Sequence, residues 1–426
     1  MKKRLLAWFL SFLMVLTLSV PSGVAFAATE EKPEAEATLS EEENVTVTDG
    51  DDEDLDDDDP DDDDPDDDED DPDATEDPGT EYEWKIQQIL QFWYEMLGAE
   101  YDHNNDEVLD EDELAEVKAI DITYFDWDEL FGIEDFVNLE ELIINYSPDL
   151  TTIDLSKNTK LKDVSISASM ESIDFSSNTE LENLDVNGCF DTLDLTNNTK
   201  LTSLRVSTDD FLSLDLTGLT NLESLWITDT DIETIDGLYD TVLEDLLITY
   251  CSYDEAIDLS QLQELKSLTS YESNDEFVNF NQSNLESLVL GDYSCDVFDV
   301  SNVTTLTELG LFRSSVQKIV FGNQTFGMLD IDDNADLSEI VGWDNILVTG
   351  CLDISDCPLI DELDISRFTA LKYLYCFGCN LDELDLTNNT ELIYVNCSVN
   401  NLEELDISKN AKLYHLECYD NRIESV

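Results

Sequence analysis

One nine-residue phrase returns along this chain at a nearly fixed interval. It reads IDLSKNTKL from Ile153, IDFSSNTEL from Ile173, LDLTNNTKL from Leu193 and LDLTGLTNL from Leu214. Near the C-terminus it reads LDLTNNTEL from Leu384 and LDISKNAKL from Leu405. Its aspartate falls at Asp154, Asp174, Asp194, Asp215, Asp385 and Asp406, with blurred copies at Asp236, Asp258, Asp299 and Asp364. A repeat of about 20–22 residues is too short to enclose a core of its own, so each unit must bury its apolar side against the next. The chain therefore has to stack into a rod of coils, with a long surface left to face other molecules.

The second half of each unit shows how the coils would close. LKYLYC from Leu371 places Leu371, Leu374 and Cys376 inward. LIYVNC repeats this with Leu392, Val395 and Cys397, and LYHLEC with Leu413, Leu416 and Cys418. Three residues after each of those cysteines come Cys379, Asn400 and Asn421, which can turn inward and bond backbone groups of adjacent coils. Leu381, Leu384 and Leu386 give the LDLS half the same apolar spacing, which predicts two straight edges per coil. Period and pattern together predict a β-rich leucine-rich-repeat solenoid of roughly 15 coils over 117–426. Coil lengths should vary between Tyr239 and Pro358, where the beat is poorly kept.

The N-terminal quarter is of a different kind. Lys2, Lys3 and Arg4, an apolar run to about Val20 and Ala25-Phe26-Ala27 form the pattern of a secretory signal peptide over 1–27, with cleavage after Ala27. The apolar run is short for a bilayer span, and no later run is long enough, so no membrane insertion is expected once it is removed. Residues 28–83 read as a disordered linker: from Asp51 to Asp73 only Leu55, Pro60, Pro65 and Pro72 are not acidic. From Trp84, Ile86, Ile89, Leu90, Trp93, Met96 and Leu97 recur at helical steps, predicting a helix-loop-helix cap over 84–120. The formal charge of −84 excludes nucleic acid and anionic lipid as partners and favours cations. The odd count of nine cysteines, several in repeat positions, reads as buried thiols rather than a disulfide framework.

Three features are candidates for chemistry. The loop DHNNDEVLDEDE offers Asp102, Asn104, Asp106, the Val108 carbonyl, Asp110 and Glu113 at the spacing of an EF-hand calcium loop. Glu107 stands where the sharp turn usually takes glycine, so its backbone should be left-handed at a cost of about 1 kcal/mol. The bland alternative is a degenerate loop whose helices cap the first coil. The stacked aspartates of the LDLS phrase repel one another; they are answered either by the Ser, Thr or turn N–H groups beside them or by bridging cations. Outward positions near the C-terminus collect Tyr373, Tyr375, Phe377, Tyr394, Tyr414, His415 and Tyr419, an aromatic band suited to protein or glycan binding, or else ordinary exposed rings. No catalytic set emerges. His103 and His415 are the two histidines, and no phosphate-cradling glycine loop, GxSxG or zinc-type Cys/His spacing is present, so no enzyme is expected.

The alternation of LDLSKNT-type and LxxLxCSxN-type half-repeats, with the entry segment LFGIEDFVNLEEL from Leu130, resembles the secreted, internalin-like leucine-rich-repeat proteins of Gram-positive bacteria. Many of these place one EF-hand-like loop before the repeats. The resemblance implies a secreted or cell-surface protein that recognises a protein or glycan in adhesion, with Ca²⁺ held in the cap. Surface-attached relatives often carry a sorting motif after the repeats; this sequence stops at Val426 inside a repeat, which leaves a truncated reading frame or a covered open end as the expectations. The rival is a structural or calcium-sequestering wall protein without a specific partner.

Overall fold

The computed structural model describes residues 78–424 apart from 125–127, 189, 191, 209–210, 252, 254 and 274–275. The signal peptide, its cleavage point after Ala27 and the linker up to residue 77 lie outside the described residues.

The first helix, α1, runs Pro78–Tyr101 and so begins six residues before the expected boundary at Trp84. Trp93 is its anchor: the ring is buried, meets Phe136 edge-on at 4.6 Å, and donates Nε1–H to the Phe131 carbonyl at 3.0 Å. Ile89, Met96 and Leu97 pack beside it, whereas Leu90 turns to solvent, so the apolar face is narrower than its spacing suggested. Gly132 sits under this ring with φ 79°, and a side chain there would strike Trp93 Nε1 at 2.7 Å. The second helix, α2, is a single turn, Glu111–Leu114. Leu109, Leu114 and Val117 carry the cap into the continuous core.

Fifteen strands then form one parallel sheet, each paired with the strand of the next coil. They are β1 Ala119–Thr123, β2 Glu141–Ser147, β3 Asp163–Ala168, β4 Asn183–Gly188 and β5 Ser203–Thr208. Next come β6 Ser224–Thr230, β7 Asp245–Cys251, β8 Ser267–Tyr271, β9 Ser287–Gly291 and β10 Glu308–Phe312. The last are β11 Thr325–Asp330, β12 Leu347–Asp353, β13 Tyr373–Tyr375, β14 Tyr394–Asn396 and β15 His415–Glu417. The solenoid expected from the period is therefore the fold. Side chains alternate across the sheet, so one set enters the core and its neighbours face outward. Leu352, Leu374, Val395 and Leu416 lie in one register file, the first three fully buried. Coil length is uneven in the middle as expected. Met328 pairs with Cys351, 23 residues on, and the register of β11 and β12 slips between Phe326 and Met328.

The second straight edge is only partly realised. Short strands pair at Ser213–Asp215 with Thr234–Asp236, at Ala256–Asp258 with Glu276–Val278, and across Ser294–Asp299, Ser315–Val320 and Glu339–Val341. In the other clear copies of the phrase, and just beyond Asp215, the backbone turns instead. Asp154, Asp174, Asp194, Asp215, Asp385 and Asp406 each accept the N–H of the residue two positions on, at 2.8–3.0 Å. The Ser or Thr hydroxyl at that position and these N–H bonds hold all six carboxyls below the usual aspartate range, the hydroxyl first for Asp154, Asp174, Asp215 and Asp406 and the N–H first for Asp194 and Asp385. The local answer to aspartate repulsion is present in all six copies.

The coils on this side are tied by asparagine. Asn178 donates to the Leu155 and Asn158 carbonyls, Asn198 to those of Phe175 and Asn178, and Asn410 to those of Leu386 and Asn389. Each amide thus replaces a strand-to-strand bond that a turning backbone cannot make. At the other ladder Asn400 and Asn421 behave as their spacing predicted, and Cys379 Sγ reaches the Ile354 carbonyl at 2.9 Å. The eight described cysteines are free, and Cys376 and Cys397 are fully buried. Burial raises their thiols, which removes them as nucleophiles.

Candidate functional site: the outer face of the long sheet

Two outward files run the length of the sheet, and their chemistry changes along it. At the N-terminal end the central file passes through Asp185, Arg205 and Trp226 in β4, β5 and β6. The Arg205 guanidinium lies 5.6 Å from the Trp226 ring centre and 4.0 Å from Asp185. Trp226 Nε1 donates to Asp245 Oδ2 at 2.6 Å, which ties the indole to the next strand. Asp185, Arg205 and Trp226, with Glu141 and Asp163, line a shallow depression of about 280 Å³. The sequence reading missed this patch. Its signal was the outward tryptophan in SLWIT, one position after the inward Leu225.

Beyond the apolar stretch Leu247, Thr269, Val289 and Gly310, the same file reaches Asp330 and Asp353 in neighbouring strands. Asp330 accepts the Asp332 N–H at 3.2 Å and Asp353 the Ser355 N–H at 2.9 Å. Neither forms an ion pair among the described residues. Elsewhere the chain matches acids with cations one coil away: Glu140 is held between Lys118 and Lys162 at 2.9 and 2.8 Å, and Glu339 meets Lys318 at 2.7 Å. Burial and then the facing carboxylate hold Asp330 well above the usual range. Burial and then Asp332 push Asp353 to about 7.

That shift has a measurable consequence. Cys351, Tyr375, Asp332 and Asp356 also face Asp353, and within this group Arg313 acts on Asp332. Because the folded carboxyl titrates above its unfolded value, its penalty is absent below about pH 4 and complete above about pH 7. Asp353→Asn, which keeps the acceptor for Ser355, should therefore melt higher than the parent at pH 8. The difference should shrink to nothing by about pH 4 in paired thermal scans. A difference independent of pH would show that ionisation of this carboxyl is not the cause.

The aromatic band begins at the next strand. Tyr373, Tyr394 and His415 occupy one register file. Tyr394 stacks on His415 at 4.9 Å with planes 6° apart, and Tyr375 leans on Tyr394 at 4.9 Å. Tyr394 O–H donates to Glu417 at 2.8 Å, and His415 Nε2 meets the same oxygen at 3.0 Å. Tyr373, Tyr375 and Tyr394 are half-buried. Phe377, Tyr414 and Tyr419 make no ring contact with the stack among the described residues, and Tyr414 is 90 % exposed. The expected band is thus a stack of three rings, Tyr375, Tyr394 and His415, with Tyr373 in their register file and three outliers.

The proposed calcium loop folds between α1 and α2. Asp102 follows the last residue of α1, and its carboxylate accepts N–H groups of Asn105, Asp106 and Glu107 at 2.6–3.3 Å. Asn104 accepts from Asp106, and Asp106 from Val108. Asp110 caps α2 while Glu113 returns to the Asp110 N–H at 3.0 Å, a reciprocal capping box. The other Glu113 oxygen takes the His103 N–H at 2.8 Å. Glu107 is left-handed at φ 66°, the conformation its position demands. All six candidate ligands thus share one loop and an all-oxygen chemistry. The five side chains accept N–H donors, and among the described residues no three His, Cys, Asp or Glu side chains are grouped to hold a metal.

No protein-family model matches the sequence, and no curated protein matches it. Solved structures do match by shape. The functional domain of InlJ from Listeria monocytogenes, whose description includes a cysteine ladder, aligns over 71 % of this chain and 68 % of its own, at 23 % identity and TM-score 0.51. A leucine-rich-repeat protein of Leptospira interrogans aligns over 73 % of this chain and 86 % of its own, at 15 % identity and TM-score 0.57. At these identities the likeness is one of fold. Among the described residues no helix is long and apolar enough to cross a membrane.

Proposed function

We propose that this chain is an exported recognition protein that presents the outer face of its fifteen-stranded sheet to a protein ligand at the cell surface or beyond it. The observation that carries this reading is the face itself. It sets tryptophan, arginine and a tyrosine–histidine stack among carboxylates on a rigid, regularly spaced backbone, and such side chains dominate protein interfaces. The basic, apolar and A-x-A order of residues 1–27 supports export. A glycan ligand would use the same rings. The test is binding of the purified chain to protein and glycan arrays. Saturable binding that is lost in Trp226→Ala or in Tyr375→Ala supports the reading. Its absence favours the structural or calcium-sequestering alternative, to which an excess of 103 acidic over 19 basic residues is suited.

In the same reading the loop Asp102–Glu113 takes up calcium when the ion draws Asp102, Asp106 and Glu113 away from their N–H partners. The loop joins α1 to α2, and Trp93 ties α1 to the first coil, so an ion would stiffen the cap of the rod. Millimolar Ca²⁺ should raise the melting temperature, and Asp102→Ala should abolish the rise. Superimposable melts in Ca²⁺ and in chelator would remove the ion from the account.

A further inference from the structure

We propose that Asp330, Asp353 and Tyr375 form an anchor at which an arginine of a cationic protein partner docks on the outer face of the sheet. The inference rests on the reading of that face as a binding surface and names the chemistry of what it binds.

Three observations carry it. Asp330, Asp353 and Tyr375 are consecutive members of one outward file, on strands β11, β12 and β13. Neighbouring strands lie about 4.8 Å apart, so the two carboxylates stand side by side and the phenol ring adjoins them. A guanidinium is flat, forked and permanently charged, and it can bridge two carboxylates while lying on an aromatic face; an ammonium offers neither the fork nor the stack. Secondly, no cation of the protein offsets this carboxylate pair among the described residues, although a few other acids of the rod are so offset. Glu140, Glu244, Glu339 and Glu391 each meet a lysine of an adjacent coil, whereas no lysine or arginine pairs with Asp330 or Asp353 among the described residues. Two half-buried carboxyls facing each other oppose each other's ionisation in the free protein, and a cation brought from outside relieves that opposition. Thirdly, the sheet is irregular at this point. The register slip between Phe326 and Met328 and the longest coil, Met328 to Cys351, immediately precede the pair, and such irregularities commonly re-aim side chains beside binding sites. Beyond Tyr375 the ring stack continues to His415, long enough to carry flanking residues of an extended segment.

The test uses the full chain and a hexa-arginine peptide bearing a benzophenone crosslinker, in about 0.15 M salt, where the Debye length is about 8 Å and diffuse attraction is damped. Crosslinks should map to the segment from Cys351 to Glu417. The double variant Asp330→Asn, Asp353→Asn should lower their yield about tenfold or more, since it removes both partners of a desolvated charge contact. Asp231→Asn with Glu233→Gln removes two exposed carboxylates beyond the end of β6, outside the outward files, and should leave the yield within about twofold. Equal loss in both double variants, or crosslinks confined to the acidic stretch 51–73, would reduce the effect to bulk charge and overturn the proposal. Displacement of the peptide by millimolar Ca²⁺ but not Mg²⁺ would make the pair a metal site and overturn it equally. A single cooperative melt at or above the parent's temperature checks that each variant folds, with single Asp353→Asn as the reserve. If the peptide fails here while the arrays yield a ligand, the face still binds but its partner is not arginine-led; failure of both removes the face as a binding surface.

Discussion

Asn400→Leu is expected to lower the stability of the C-terminal coils by about 3–5 kcal/mol, measured by urea melts and by hydrogen exchange. The side chain is buried and uses both ends of its amide. Nδ2 donates to the Cys376 and Cys397 carbonyls at 2.8 and 3.1 Å, and Oδ1 accepts the Cys379 and Leu381 N–H groups at 3.2 and 2.9 Å. Leucine fits the volume and satisfies none of the four. Each orphaned buried group costs about 1–3 kcal/mol, partly recovered as the coil loosens and water enters. Because coils couple only to their neighbours, the amides of Cys379 and Leu381 should exchange faster while those of β3 and β4 keep their protection. A loss below about 1 kcal/mol would mean that the backbone finds other partners, and the ladder would then be incidental.

The repeat made the rod and its inward files legible, because position in a coil dictates burial whenever the period is kept. Leu374, Val395 and Leu416 show this directly: equivalent letters twenty-one residues apart fall into one file. The inward asparagine of LxxLxCSxN was legible for the same reason. The asparagine of the LDLS phrase was not, although Asn158, Asn178 and Asn198 are fully buried. A polar residue next to serine and lysine in a turn reads as solvent-facing, and only the missing lateral strand bonds reveal that it must turn in. The same absence explains why the second edge of the coil is not a continuous sheet. Its i, i+3, i+5 leucines are satisfied by a turn held by the phrase's own aspartate, as Asp194 shows with the N–H and hydroxyl of Thr196.

The outer face was less legible, since outward positions are free of the packing rule that makes inward ones repeat. The tyrosine-rich segment stood out by composition, and the fold gathers Tyr373, Tyr375, Tyr394 and His415 while leaving Phe377, Tyr414 and Tyr419 outside the stack. Trp226 with Arg205, and Asp330 with Asp353, come from different coils. Their meeting depends on register across coils of 20 to 23 residues, which no single stretch of sequence displays. The cap shows the converse. Asp110 and Glu113 lie three residues apart, and the ligand spacing that suggested a calcium loop also specifies a capping box, so one stretch of sequence supports both.

If the rod is held by nearest-neighbour burial, one substitution should cost different amounts according to where in the file it falls. Leu374→Ala is expected to destabilise by about 2–5 kcal/mol, because Leu374 is fully buried between Leu352 on one side and Val395 on the other and little can collapse into the gap. Leu416 has the same role in the repeat but pairs with Val395 alone among the described strands and keeps part of its surface in solvent. Leu416→Ala should therefore cost about 1 kcal/mol, the transfer of fewer methyl groups with a smaller cavity term. The contrast is sharper than either value, since both changes remove the same atoms from the same kind of site. Urea denaturation followed by tyrosine fluorescence and hydrogen exchange would separate them: Leu374→Ala should release protection in β12, β13 and β14 together, and Leu416→Ala only in β15. Equal costs at the two positions would show that the coils unfold as one block, and that the stepwise coupling inferred from the files does not govern the rod's stability.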